Sequence, residues 1–310
     1  MFDRKYTWVI TGGAGFIGSH LARALLQQGQ TVRVVDDFST GRAENLSGIA
    51  SQIQLFSGSV CDADLLARAF AGADFVLHYA ALVSVPQSVQ EPLKTWQTNV
   101  QGTAHVLQAA RQSGVRRVVF ACSSAIYGNG PEICTENTPR NSQSPYALSK
   151  QIGAELCRLY TRLYGLETIS LIYFNVFGPG KKADSAYADV IAKFLQQARQ
   201  GGPLRLEGDG QQSRDFIHVQ DAVRATLRAA LTGEPGQGYN VASGKSYSLL
   251  QLADLLDQIS GQKLPRTFAP ERPGDVKRSC ADISKIRALG FTPSVSLEEG
   301  LREMWLTKPL

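Results

Sequence analysis

The chain has 310 residues, 43% of them hydrophobic and 19% charged, with a formal net charge of +5. This is the composition of a soluble globular protein, long enough for one large α/β domain and a smaller one. Lysines and arginines are scattered with no run of five, which argues against nucleic acid and for a phosphate-bearing small ligand, and no apolar stretch reaches the roughly 18 residues of a membrane span.

The opening MFDRKYTWVI runs straight into an apolar strand and lacks the features of a signal peptide, so a cytoplasmic protein is expected. Cys61, Cys122, Cys134, Cys157 and Cys280 are odd in number, widely spaced and without C-x-x-C, as expected for reduced thiols. His20, His78, His105 and His218 show no metal-ligand spacing, so no metal site is expected.

YTWVIT reads as a strand, GFIGSHLARALLQQG as a helix, and TVRVVDD and QIQLFSGSV as further strands. DADLLARAFAGA is a short helix and ADFVLHYAA a strand. A long helical stretch runs from about Pro92 to Gln112. RRVVFACSS is a strand, followed by a loop to Ser144, a helix over Tyr146 to about Tyr164, and a strand ETISLIYFNVF. The β-α-β rhythm and near-continuous apolar strands predict a doubly wound parallel sheet with helices on both faces. After Phe177 the rhythm breaks into helices near 186–200, 220–232 and 248–260. This predicts a first domain over 1–177, with 213–242 packing back on it, and a smaller lobe from 178–212 and 243–310.

Strand one ends in TGGAGFIG, with Gly12, Gly13, Gly15 and Gly18 satisfying G-x-G-x-x-G between a strand and a helix. Such glycines allow a tight turn, close backbone approach to a pyrophosphate and tight helix–strand packing, while the helix N-terminus offers free N–H groups. Strand two ends in Asp36, placed to grip an adenosine ribose. A carboxylate there would repel a 2′-phosphate, favouring NAD over NADP. Asp37 could share that role, though a turn-forming aspartate is the simpler reading.

SPYALSK puts Tyr146 four residues ahead of Lys150, one helical turn away on the same face. A phenol titrates at about 10, so it is a poor base at neutral pH until a nearby cation lowers that value. A lysine and an oxidised nicotinamide ring would supply two such cations and make Tyr146 a useful base. Ser123 and Ser124 end the preceding strand, where α/β sheets gather ligands. Ser123 could share a proton with Tyr146 or merely cap the strand; Cys122 reads as core packing.

TGGAGFIGSHL, LHYAAL, SSAIYG, SPYALSK, YFNVFGP, SRDFIHVQD and RPGDVKRSCADISK, in this order, resemble the extended short-chain dehydrogenase/reductase family over nearly the whole chain, and within it the NAD-dependent UDP-sugar 4-epimerases. The resemblance implies a Rossmann-type doubly wound sheet with a smaller α/β substrate-binding lobe. It implies that Gly12, Gly15, Phe16, Ile17 and Asp36 hold the adenosine diphosphate half of NAD, and that Ala80, Asn99, Ser123, Tyr146, Lys150 and Tyr173 line the nicotinamide half. Tyr146, Lys150 and Ser123 would be the catalytic set. Ser84, Ser124, Asn175, Val190, Arg214, Arg272, Asp275 and Ser279 would meet the UDP-sugar, the arginines as diphosphate partners.

SSAIYG carries Ala125 and Ile126 where the related dehydratases have an acid, so elimination is disfavoured. Ser279 matches a position that is often tyrosine in enzymes restricted to UDP-glucose and UDP-galactose. A small residue there, with LVSVPQSVQEP, implies UDP-N-acetylglucosamine and UDP-N-acetylgalactosamine as substrates. Lys181 and Lys182 keep open a UDP-glucuronate 4-epimerase or decarboxylase, and a non-catalytic NAD-binding regulator is the alternative of another class. Two positions depart from the family: Ser59 replaces an adenine-facing aspartate, leaving Val60 and backbone groups to serve, and Val83 replaces a basic residue. The resemblance also implies a homodimer, in which helices near 92–112 and 146–164 pair through residues such as Val106, Leu107, Leu156 and Leu159, unless these simply cover the sheet.

Overall fold

The computed structural model describes residues 2–181, 190–271 and 277–307. Strands β1 (Thr7–Thr11), β2 (Thr31–Asp36), β3 (Ile53–Ser57), β4 (Phe75–His78) and β5 (Arg117–Ser123) alternate with helices α1 (Phe16–Gln27), α2 (Ala63–Phe70), α3 (Val85–Gln90), α4 (Pro92–Trp96) and α5 (Gly102–Gln112). The short β6 (Ile133–Cys134) precedes α6 (Pro145–Tyr164), followed by β7 (Glu167–Tyr173) and β8 (Asn175–Phe177). Then come α7 (Val190–Arg199), β9 (Leu204–Glu207), β10 (Ser213–His218), α8 (Val219–Thr232), β11 (Gly238–Val241) and β12 (Ser246–Ser248). The chain ends in α9 (Leu249–Ser260), β13 (Arg266–Ala269), β14 (Cys280–Ala281), α10 (Ser284–Ala288) and α11 (Leu297–Leu306).

The main sheet has seven strands in the order β11-β7-β5-β4-β1-β2-β3, all parallel. This is the expected doubly wound fold, and its strand order reverses between β1 and β4, where such sheets open a ligand crevice. Trp8, Val9, Ile10, Val34, Leu77 and Val119 are fully buried, which explains the unbroken apolar runs of these strands.

Helix α6 shows how sequence fixes the site. Ser144 caps it by accepting the Ala147 N–H at 3.1 Å, Pro145 occupies its first turn, and Gly165 ends it in the left-handed region at φ 69°. Its buried residues are Tyr146, Ala147, Ser149, Lys150, Gly153 and Cys157. Gly153 lets the helix press on the sheet, since a Cβ there would fall 2.4 Å from the Phe120 ring.

Two expected elements differ. ETISLIYFNVF is two strands, because the main-sheet pairing ends at Phe174, whose N–H donates to the Val241 carbonyl at 3.0 Å, and β8 then pairs with β10 in a three-stranded sheet completed by β12. The helical stretch from Pro92 to Gln112 contains a π-helical segment over Gln97–Gln101, which re-aims Asn99 inward.

The apolar interior falls into two clusters. The larger covers both faces of the main sheet, and the smaller joins Phe177, Phe194, Leu206, Phe216, Leu252 and Leu301. Phe216 on β10 belongs to the smaller cluster, whereas Ala281, Ile283, Ile286 and Phe291 near the C-terminus pack into the larger one. Among the described residues no helix is long and apolar enough to cross a membrane.

Candidate active site

A single cleft of about 1270 Å³ runs along the C-terminal ends of the main-sheet strands. That exceeds the roughly 300–1,000 Å³ of an ordinary one-ligand site and offers room for a dinucleotide and a second ligand.

At one end lies the glycine loop. Gly12 is left-handed at φ +70°, and a Cβ on it would stand 2.6 Å from the Ala80 nitrogen; a Cβ on Gly18 would stand 2.3 Å from the Gly12 carbonyl oxygen. Only glycine permits this approach. Gly15 caps α1 with no side chain, so the first helical N–H groups and the helix dipole face the cleft, which Gly12, Gly15, Phe16 and Ile17 line. These features fit a pyrophosphate.

Asp36 closes the end of β2. It accepts the Ala14 N–H at 2.8 Å and the Phe38 N–H at 2.9 Å; burial raises its pKa and these two donors oppose the rise. One lone pair on each oxygen is left for a ribose diol. Asp37 lines the cleft too, but its carboxylate accepts from both the N–H and the hydroxyl of Ser39, the turn-forming role. Ser59 is occupied with a local turn, accepting the Cys61 N–H at 3.1 Å, while Gly58 and Val60 line the cleft beside it.

Midway along, Tyr146, Lys150, Ser123 and Ser124 meet at the cleft wall with Ala80 and Tyr173. Tyr146 is held by its own N–H, which donates to the buried Ser88 hydroxyl at 3.1 Å. Burial pushes its phenol up to about 12, and the neighbouring Ser123 hydroxyl opposes the rise. Ser123 also accepts the Ala125 N–H at 3.2 Å, so it caps the strand and faces the phenol at once. Lys150 donates to the Ala121 carbonyl at 2.8 Å, and burial lowers it to about 8. Its ammonium therefore leans on the sheet, and burial dominates the phenol in this state. Cys122 is buried with its thiol pushed up to about 11, an inert core residue.

At the far end the cleft is lined by Ser84, Asn175, Arg214 and Ser279. Asn175 donates to the Asp215 carbonyl at 3.1 Å, and Arg214 to the Ser213 carbonyl at 2.8 Å. Asp215 is fully buried and accepts from the N–H groups of Ser243, Gly244 and Ala281, pinning the segment that carries Ser279. Ser279 also donates its N–H to the Ser213 carbonyl at 3.2 Å.

Two expected contacts lie elsewhere. Asn99 does not reach the cleft wall, because its amide is consumed inside: it accepts the Leu82 N–H and donates to the Leu82 carbonyl and the Ser149 hydroxyl. Val190 packs against the smaller core. Arg272, Asp275 and Lys182 lie outside the described residues.

Sequence reasoning passed over several residues of the wall: Tyr79, Thr98, Phe174 and Arg278, and the loop Phe38–Arg42. The loop has a signal, a Ser-Thr-Gly-Arg run directly after the ribose-binding strand. Tyr79 carries none, since an aromatic after an apolar strand reads as core.

Residues 8–242 match the NAD dependent epimerase/dehydratase family. The chain belongs to that family and is an NAD-dependent enzyme. It is similar to the UDP-glucose 4-epimerase of Mycolicibacterium smegmatis, with 36% identity over 94% of this chain and 95% of that one. Among solved structures it resembles the UDP-N-acetylglucosamine 4-epimerase of Methanobrevibacter ruminantium M1 in complex with UDP-N-acetylmuramic acid, at 36% identity and TM-score 0.93 over 97% and 98% of the two chains. It also resembles the UDP-glucuronic acid 4-epimerase of Bacillus cereus with UDP-glucuronic acid and NAD, at 30% identity and TM-score 0.89 over 96% and 98%. The Rossmann-type fold and NAD as cofactor thus stand as the sequence predicts.

Proposed function

We propose that this enzyme inverts C4 of UDP-sugars, chiefly interconverting UDP-N-acetylglucosamine and UDP-N-acetylgalactosamine, with UDP-glucose and UDP-galactose as further substrates. The observation that carries the reading is a small residue, Ser279, in the wall of the same cleft that holds Tyr146 and Ser123. A serine there leaves space for an N-acetyl group where a tyrosine would fill it.

In this mechanism the sugar 4-hydroxyl meets Tyr146 and Ser123. NAD, when bound, supplies the positive ring that favours the phenolate and the hydride acceptor that makes the oxidation of C4 reversible. Tyr146 takes the hydroxyl proton, Ser123 shares it, and Tyr146 returns it after the 4-keto sugar has presented its other face. Lys150, with its ammonium against the carbonyl end of β5, biases the phenol and orients a ribose. Gly12, Gly15, Phe16, Ile17, Asp36, Val60 and Ala80 cradle the cofactor. Asn175 and Arg214 hold the UDP portion, a role extended to Arg272 and Asp275 by resemblance. Ala125 and Ile126 supply no carboxylate for elimination, which separates this chemistry from that of a dehydratase.

The UDP-glucuronate reading would employ Lys181. Lys181 lines the same cleft, but its ammonium lies 4.9 Å from the Phe16 ring centroid and donates to the Val176 carbonyl at 3.3 Å, so it is already engaged by the protein before a sugar carboxylate arrives. A panel of UDP-sugars incubated with the purified protein and read by NMR tests the proposal. Failure to form a 4-epimer from any of them would favour a regulator. Ser279→Tyr should cut turnover of the N-acetylated pair at least tenfold and spare UDP-glucose; equal turnover of both would remove the gate from the mechanism.

A further inference from the structure

Beside the nicotinamide end of the cleft lies a closed set of three hydroxyls that the reaction does not use directly. Tyr79 follows β4 and Tyr173 ends β7, and both line the cleft. Tyr173 is in register with Ser123 on the neighbouring strand. Behind them Thr226, on α8, is fully buried. Its hydroxyl is 2.7 Å from the Ala222 carbonyl, 2.6 Å from the Tyr173 hydroxyl and 3.0 Å from the Tyr79 hydroxyl, while the two phenols also touch each other.

Taking the shortest contacts as the hydrogen-bonded ones orders the protons and leaves the longer Tyr79–Thr226 approach, at 3.0 Å, as the one with no proton between its oxygens. A helix carbonyl only accepts, so the contact with Ala222 requires the Thr226 proton; without it two oxygens would face each other at 2.7 Å. Thr226 can then only accept, and the short contact with Tyr173 requires the Tyr173 proton. The contact between the phenols must in turn use the Tyr79 proton. The chain therefore runs Tyr79 to Tyr173 to Thr226 to Ala222, each hydroxyl donating to the next. Both phenols are neutral, since burial raises Tyr79 to about 12 and Tyr173 well above its ordinary value.

We propose that Thr226 is a positioning residue that holds Tyr173 as a pure hydrogen-bond acceptor toward the cleft, so that it selects a donor, the carboxamide N–H, at the nicotinamide end of the cofactor. The proposal rests on the reading of Tyr146 and Ser123 as the reacting pair. The ring must lie beside them to exchange hydride with the sugar, and that is where Tyr173 stands. Thr226 has no need to touch the cofactor; it sets the polarity of the group that does.

The test compares NAD with its 3-acetylpyridine analogue, which keeps the carbonyl and lacks the amide N–H. Full-length protein is equilibrated with mixtures of the two dinucleotides, and the bound ratio is read by mass spectrometry, independent of turnover. The wild type should prefer NAD about tenfold, the worth of one hydrogen bond. Thr226→Val frees the Tyr173 proton to meet the acetyl oxygen, and the preference should fall below about threefold. Thr226→Ser and Tyr79→Phe both leave the Tyr173 proton on residue 226 and should keep it. If Thr226→Val does not fold, Thr226→Ala removes the same acceptor. An unchanged ratio in the Thr226 variant, or no preference in the wild type, overturns the proposal while leaving NAD binding intact. Loss of both dinucleotides from the wild type would instead overturn the cofactor reading, and this proposal with it.

Discussion

Lys150 donates to the carbonyl of Ala121 at 2.8 Å, two residues before Ser123 on the same strand. The helix that presents the phenol and the strand that presents the hydroxyl are thereby tied together by the cation between them. The tie is costly. Burial lowers Lys150 from 10.5 to about 8, so the folded chain holds this proton less tightly than the unfolded chain. The unfolded state then binds more protons between about pH 8 and 10.5, and stability rises with pH across that window. Below pH 8 the buried charge costs about 3 kcal/mol. Lys150→Met should therefore raise the unfolding free energy at pH 7, by about 1–2 kcal/mol once the lost hydrogen bond is set against it, and abolish epimerisation. Denaturant melts at pH 7 and pH 10 check this: a variant less stable than wild type at pH 7 would show that the ammonium stabilises the fold.

Tyr146 poses the complementary case. Its phenol, at about 12 before any cofactor charge, is protonated at neutral pH, and activation must come from outside the protein's own side chains. Tyr146→Phe keeps the ring and its packing and should lower kcat by 10² to 10⁴ without weakening retention of NAD. Ultraviolet difference titration should show one phenol ionising below the ordinary value of about 10 when NAD is bound, and no such phenol in the variant. Full-speed turnover by the variant would remove Tyr146 from the mechanism.

His78 lies beneath the cofactor ledge in a wire of neutral groups. Thr103 donates to the Asn99 carbonyl at 2.6 Å, so it can only accept at 2.9 Å from His78 Nε2, which fixes the Nε2–H tautomer; Nδ1 then accepts from Thr11 at 2.7 Å. Full burial pulls the imidazole from 6.5 down to about 3, with the Lys150 charge adding to the effect. The unfolded chain takes up this proton first, so the stability that His78 contributes is complete above pH 6.5 and is lost as pH falls toward 3, on the order of 5 kcal/mol in all. His78→Gln should flatten the acid-unfolding curve over that window while losing about 1–3 kcal/mol at pH 7. Nitrogen-15 NMR should report a single Nε2–H tautomer down to pH 4; an imidazolium at pH 5 would contradict the wire.

Much of this arrangement is legible before any coordinates. The glycines, Asp36 and the Tyr146–Lys150 spacing are local patterns, each fixed by one turn or one helical face. The residues that escape reading are those whose role depends on distant partners. Asn99 looks like a cleft residue until the π-helical segment turns its amide onto Leu82, 17 residues back, and Ser149, 50 residues on. The break at Phe174 is invisible in an apolar run, because it is set by β10 competing for Asn175–Phe177. Thr226 and Tyr79, 147 residues apart, carry no joint signal in the chain.

The homodimer expected from the resemblance becomes sharper once burial is known. Val106 and Leu107 are fully buried against the chain's own sheet, so they cannot meet a second copy; of the two readings of that helix, covering the sheet is the one its packing supports. The apolar side chains left outside are Val89 and Leu93, 62% and 83% exposed, with Val85 and Leu148 beside them on α3 and α6. Val85 and Val89 also line the cleft, and the non-helical Glu91 separates α3 from α4, so the two of these away from the cleft are Leu93 on α4 and Leu148 on α6. An exposed leucine alone means little, but two on helices packed against each other make a surface that association would cover. The wild type should sediment at twice the chain mass, and Leu93→Asp should shift it toward monomer by at least tenfold in dissociation constant, with the cleft and NAD retention unaffected. Val106→Asp, by contrast, should unfold the chain. A monomeric wild type, or a Leu93→Asp variant that dimerises as before, would place the interface elsewhere or remove it.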